Sequence, residues 1–257
     1  MLFSDALAFY DTGRALWAGE YIGLYPFPLT VMVAGVSVFP FEVLVGIILM
    51  SSLITLVVCF KRRALLWILF MPVLQTLAIG NLDVIAMGLL MFGNPFTLAF
   101  LTLKPQLFIF AIPLLLKNKL WWKPFSIMVG IIWGIPTLFR PLWIFEWLPR
   151  ILGEERLADN SSSAILPIGF LVSLVIIALL LVIHSDKLRG ASMGIFPALR
   201  PYDFTLLAGG SLWLIPLSWL AFVAMIQFSA AWPMGWVGVA DTGIKLLTKD
   251  KKVTNVP

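Results

Sequence analysis

Two short charged motifs lie inside the oiliest part of this chain. Gly80-Asn81-Leu82-Asp83 and Leu103-Lys104-Pro105-Gln106 interrupt a window, residues 64–116, that is otherwise almost entirely apolar. An ionisable side chain at membrane depth costs from about 3 to more than 10 kcal/mol, according to how far water and snorkelling relieve it. Such groups therefore face protein, water or substrate. An aspartate in that position accepts the proton of an attacking hydroxyl. A lysine or arginine holds a phosphate as its charge partner. The plainer alternative puts Asp83 and Lys104 at span ends, meeting only lipid headgroups.

Other chemistries are excluded by pattern. There is no G-x-S-x-G, no P-loop, no H-E-x-x-H and no dinucleotide-binding glycine fingerprint. The single His184 and single Cys59 make neither a metal centre nor an internal disulfide. Carboxylates on outer loops are compatible with a divalent ion, but no ligand set is readable. The basic residues sit in small local groups, and nothing suggests nucleic-acid binding.

The elements that must position these groups are membrane helices. The chain has 257 residues, 61% hydrophobic and 12% charged, with eleven Trp and twenty Phe. Its mean hydropathy is +1.00. Soluble domains carry about 25% charged residues, so this composition implies an all-α, polytopic integral membrane bundle. We expect seven or eight membrane segments, some short or broken, in one transmembrane domain over residues 1–257. The apolar runs are continuous rather than alternating, which excludes barrel strands.

Basic clusters between spans mark the cytoplasmic side. Lys61-Arg62-Arg63, Lys117 with Lys119 and Lys123, Lys187 with Arg189, and the Lys-rich tail 245–257 are therefore expected inside. Residues 41–60 cross inward and 64–79 cross back. Residues 82–116 form short or broken helices, 122–138 cross outward, 164–183 return, and 204–240 hold two crossings split near 219–222. Residues 1–28 and the loop 139–163 then lie outside. Within the first of these, 4–17 reads as an amphipathic helix capped by Ser4 or Asp5 and ended by Gly19. Leu7, Phe9, Tyr10, Leu16 and Trp17 are expected on the membrane interface. Tyr25-Pro26-Phe27-Pro28 breaks the backbone before the next apolar run. Met1 to Asp5 are too few for a secretory leader. A multispan chain that opens in a polar segment is expected to be a fragment, or to take its first span from another chain.

The order of motifs resembles a known family. Asp5-Ala-Leu-Ala-Phe-Tyr10-Asp11-Thr-Gly-Arg14-Ala-Leu-Trp-Ala-Gly19 resembles the opening of polyprenol-phosphate-dependent GT-C glycosyltransferases, especially glycosyltransferase family 87. Tyr25-Pro26-Phe27-Pro28 is similar to that family's Tyr-Pro-Pro segment, and Gly80 to Asp83 to its Gly-Gln-x-Asn turn. Lys104-Pro105-Gln106 is similar to its Lys-x-x-Pro helix, and Leu214 to Trp219 to its Ser-Pro-x-Ser-Trp segment. The chain departs from the pattern where Asn81 replaces Gln, where Pro28 is displaced, and where Leu220-Ala221-Phe222 replaces a His-containing stretch. A helix before Asp5 and several C-terminal helices are also missing.

The resemblance implies transfer of a sugar, often mannose in such enzymes, from a polyprenyl-phosphate donor on the non-cytoplasmic face of a bacterial inner membrane. The anomeric centre is inverted. It implies Asp5 as the base, with Asp11 as the alternative. It also implies Arg14 and Lys104 as partners of the donor phosphate, with Tyr25, Asn81, Asp83 and Gln106 lining the substrate site. Two other readings stay open: a non-catalytic membrane subunit that packs against another protein, and a small transporter. Partners are then the bilayer and the lipid-linked donor, with a second membrane subunit under the subunit reading.

Overall fold

Apolar residues set the local structure and prolines cut it. The computed structural model describes residues 2–151, 189–196 and 199–247, with residues 172, 175–176 and 178–179. All regular structure among the described residues is helical.

Helix α1 covers Ser4–Trp17, the span expected from sequence. Its N-terminus is not capped by Ser4 or Asp5. Phe3 takes a left-handed φ of 58° there, and no side chain caps the helix. The Phe3 N–H instead donates to Ala78 O at 2.8 Å, so a tertiary bond does the work of a cap. The other end is a Schellman turn: Gly19, at φ 84°, donates to Leu16 O, and Glu20 donates to Ala15 O. Phe9 leaves the expected interfacial face, because it is only 2% exposed and stacks on Tyr25 with centroids 4.5 Å apart. Trp17 stays exposed.

Helix α2, Phe27–Ser37, starts at the Pro26 break and packs along α1. Helix α3, Phe41–Phe60, is twenty residues of apolar sequence, about 30 Å long. It buries Leu44, Ile48, Ser52 and Leu56 at four-residue spacing. Its other face exposes Val43, Ile47, Met50, Ile54, Val57 and Val58. Lys61 then breaks the helix at φ 50°, ψ −123°, the turn expected at Lys61-Arg62-Arg63. Helix α4, Ala64–Ile68, lies back against α3, with Trp67 on Phe60 at 5.6 Å between ring centroids.

The return crossing expected over 64–79 is two short helices. Phe70 is extended and Pro72 opens α5, Met71–Ile79. Short helices continue as expected: α6 Asp83–Phe92, α7 Pro95–Leu101, α8 Pro105–Phe108 and α9 Ile112–Lys117. Helices α10, Trp122–Val129, and α11, Ile135–Phe139, join through a π-turn at Gly130–Gly134 into one rod. The expected loop 139–163 is partly helical, because α12, Trp143–Ile151, seats Trp143 and Trp147 against Tyr21 and Phe27. Its residues 152–163 lie outside the described residues.

Helix α13 covers Arg189–Ile195, α14 Leu214–Phe228 and α15 Pro233–Leu247. The break between the last two falls at left-handed Ser229 and at Pro233, not at 219–222. A Cβ added at Gly190, Gly194 or Gly238 would meet backbone of the facing helix, so α13 and α15 cross at close range. Most of the expected crossing 164–183, His184, Lys187 and the tail beyond residue 247 lie outside the described residues.

Two helical stretches are long and apolar enough to cross a membrane, Phe41–Ile68 and Lys119–Phe139. The first contains the Lys61 break. The main core packs α3 to α7, α9, α14 and α15. A second cluster joins Ala6, Phe9, Leu29, Val33, Leu44, Ile48 and Leu103. The charged motifs meet where these two cores adjoin.

Candidate functional site

The site begins at a glycine. Gly80 ends α5 in the left-handed conformation, φ 70°. A Cβ there would lie 2.7 Å from the Ala6 Cβ. Without a side chain, the turn lets α1 pass directly over it, and the Phe3–Ala78 bond holds that contact. Asp5, one residue before Ala6, is thereby set against Asn81.

Asn81 is 4% exposed and links three parts of the chain. Its Nδ2 donates to Asp5 Oδ2 at 2.5 Å. Its Oδ1 accepts from the Leu82 N–H at 2.5 Å and from Lys104 Nζ at 2.8 Å. An amide suits this place, because it donates to an acid on one side and accepts from an ammonium on the other. Lys104 also forms a close ion pair with Asp83 Oδ1. Pro105 explains the lysine's backbone: the residue before a proline is kept out of the helical region, and Lys104 sits at φ −116°, ψ 79° between α7 and α8. Asp83, in the first turn of α6, is fully buried.

A fourth segment closes the site, and sequence reading missed it. The 3₁₀ turn Pro201–Leu207 packs on α5 and α6, with a hydrogen bond of 3.1 Å between the Thr205 and Thr76 hydroxyls. Asp203, 1% exposed, accepts the Arg200 N–H on Oδ2 at 2.7 Å. Arg200 Nη1 donates to the Tyr202 hydroxyl at 3.0 Å. A different signal from the one that singled out Asp83 could have found Arg200-Pro201-Tyr202-Asp203: charged residues about a proline, at the edge of an apolar run rather than inside it.

Electrostatics tie the segments together. Burial raises the Asp5 carboxyl above its usual range, while Lys104, the Asn81 hydrogen bond and Arg200 oppose the rise. Burial, and then the negative charge of Asp83, pushes Asp203 up to about 7, against the pull of Lys104. Burial, with Asp203 and Asp5 nearby, also raises Tyr202.

Asp5, Asn81, Asp83 and Lys104 are thus brought together. Other candidates stand apart. Asp11 and Arg14 are exposed, and no ion pair joins them among the described residues. Arg14 lies nine residues beyond Asp5, about two and a half helical turns, and so points from the opposite face of α1. Tyr25 serves the packing of α1 on α2: its ring stacks on Phe9, and its carbonyl accepts the Tyr21 hydroxyl at 2.6 Å. Gln106 is half-buried in α8, two residues past Lys104, with no hydrogen bond to the cluster. Among the described residues, no three His, Cys, Asp or Glu side chains gather as metal ligands. No family model, no curated protein and no solved structure matches the chain.

Proposed function

We propose that the chain is an integral membrane protein of GT-C-like organisation that transfers a sugar from a polyprenyl-phosphate donor at the non-cytoplasmic face. The observation that carries this reading is the Asp5–Asn81–Lys104–Asp83 chain, which fixes one half-buried carboxylate among buried polar groups. Asp5 acts as the base. Its Oδ2 is held by Asn81, no hydrogen bond reaches its Oδ1 among the described residues, and its raised pKa suits proton abstraction nearer neutrality. Arg200 takes the donor phosphate in place of Lys104, whose charge Asp83 already balances. Arg200 is exposed, has the Tyr202 hydroxyl as its one side-chain hydrogen-bond partner among the described residues, and interacts electrostatically with Asp5.

The exposed apolar face of α3 supports the membrane assignment, since a surface of that size facing water would favour aggregation. The two helical stretches long and apolar enough to cross a membrane support it as well, whereas the shorter apolar helices α2, α6, Pro105–Lys117 and α14 are too short to cross alone. A second reading, a non-catalytic membrane subunit, draws on the same apolar face, which fits a partner helix as well as it fits lipid.

The test is sugar transfer in proteoliposomes supplied with a labelled mannosyl polyprenyl phosphate. Loss of a general base lowers the rate by about 10²–10⁴-fold, so Asp5→Asn is expected to lose transfer by at least about a hundredfold while melting like the parent. Arg14→Ala keeps its rate. Transfer that survives Asp5→Asn removes Asp5 as the base, and a parent that transfers no sugar defeats the enzyme reading. A parent that assembles with a second membrane protein and never transfers sugar favours the subunit.

A further inference from the structure

Behind the Asp5–Asn81 contact lies a buried charge imbalance. Asp83 and Asp203 are essentially inaccessible, and the Lys104 side chain is 13% exposed. Ionised, the three carry one net negative charge. Two of their oxygens, Asp83 Oδ2 and Asp203 Oδ1, are buried with no hydrogen-bond partner among the described residues. Burying an uncompensated carboxylate costs several kcal/mol, and such a site is relieved by taking up a proton. The cation's place is already filled by Lys104, whose ammonium is committed to Asp83 and Asn81.

The two acids are not equivalent. Asp83 has the ammonium against it, which favours its ionised form. Asp203 has a backbone N–H on Oδ2 and a bare Oδ1. We propose that Asp203 binds an exchangeable proton on Oδ1, so that the inner cluster is neutral when the proton is present and singly negative when it is lost to water. Protonation on Oδ1 removes in one step the surplus charge, which is the costliest part of burying the group. The rise of the Asp203 carboxyl to about 7 places the exchange near neutral pH.

Among the described residues, the charged and titratable groups around Asp203 come from five elements. Asp83 comes from α6 and Lys104 from the bend before α8, while Arg200 and Tyr202 flank it on its own segment. Asp5 approaches from α1 through Arg200 and Tyr202. Helix α15, which also packs on this segment, carries Asp241 and Lys245 paired with each other. Helix α5 presents the neutral Thr76.

The inference is independent of the substrate, and its readout needs none. Infrared difference spectra of the purified full chain in detergent, titrated from mildly acid to mildly alkaline pH, are expected to contain a carboxylic-acid C=O band that disappears with a midpoint of about 7. Asp203→Asn abolishes that band and Asp5→Asn keeps it. Asp83→Asn lowers the midpoint, because it removes a negative neighbour and releases Lys104 toward Asp203. Exchanging sodium for choline leaves the midpoint unmoved. The proposal is overturned by a parent with no such band, by a band that survives Asp203→Asn, or by one lost only in Asp5→Asn. A midpoint that follows sodium overturns it in favour of an alkali ion. If Asp203→Asn does not fold, the Asp83→Asn titration decides alone, and an unmoved midpoint rejects the idea.

Discussion

Among the described residues, two buried aspartates pair with lysines, with the same chemistry and different work. Asp241 and Lys245 are four residues apart on α15, with an Oδ2–Nζ distance of 2.5 Å. Asp83 and Lys104 are separated by 21 residues and belong to different elements. In both pairs the aspartate is fully buried; the lysine side chain is 33% exposed in the first and 13% in the second. A helix brings its own i and i+4 residues together at no cost in chain closure. The second pair has to be assembled from two proline- and glycine-defined turns. Only that pair extends further, through Asn81, to a carboxylate on a third element. The local pair neutralises a charge at a helix crossing. The assembled pair fixes relative positions, and there the candidate chemistry sits.

The sharpest break between them is Lys104→Met. Removing one member of a buried ion pair costs about 3–5 kcal/mol, because the remaining charge is left without a partner. Asp83 has no solvent to turn to. The expected result is a large drop in melting temperature, together with loss of the Asn81 contact to Asp5. Double substitution Lys104→Met with Asp83→Leu removes both charges, and is expected to recover much of that stability without recovering function. A single variant that melts like the parent would mean the pair is dispensable.

What the sequence disclosed follows the same division. Asp83 and Lys104 stood out because charge within an apolar run is rare for physical reasons, and α1 was readable to its end residues from composition and Gly19. The family resemblance implies one site for these residues and Asp5, but it gathers Asp11, Arg14, Tyr25 and Gln106 there as well, and those stand apart in the structure. The geometry that brings Asp5 to Asn81, an α1 that passes over Gly80, depends on a tertiary contact with no local signature. The same is true of Phe3, where a bond to Ala78 replaces the side-chain cap. Periodicity failed where prolines act: 64–79 looks continuous by hydropathy, yet Pro72 and extended Phe70 divide it. Arg200 to Asp203 was overlooked because it sits beside, rather than inside, an apolar run.

Gly80→Ala tests how the distant pair is put together without touching any charge. An L-residue at φ 70° costs about 1–3 kcal/mol, and the new methyl would press on the Ala6 Cβ. The expected loss of stability is smaller than for Lys104→Met. Function is expected to fall further than stability, since α1 must lift and carry Asp5 away from Asn81. Hydrogen exchange would register this as faster opening of α1 with α15 unchanged. Equal loosening of both helices would show that the turn supports the whole fold rather than the site.

The smallest effect is expected for Lys245→Ala. Its side chain is a third exposed, so water reaches the region it vacates and relieves part of the charge left on Asp241. Helical i,i+4 pairs contribute about 0.3–0.5 kcal/mol, and partly exposed ion pairs at most about 1 kcal/mol. Asp241 Oδ1, beside Gly210, has no hydrogen-bond partner among the described residues, so this aspartate tolerates incomplete pairing there. Thermal melting should therefore shift by a small fraction of the Lys104→Met shift, with activity and the Asp203 titration unchanged. If Lys245→Ala destabilises as much as Lys104→Met, burial of the aspartate alone sets the energy of both pairs. The distinction between a pair supplied by one helix and a pair assembled across the chain would then have no energetic content.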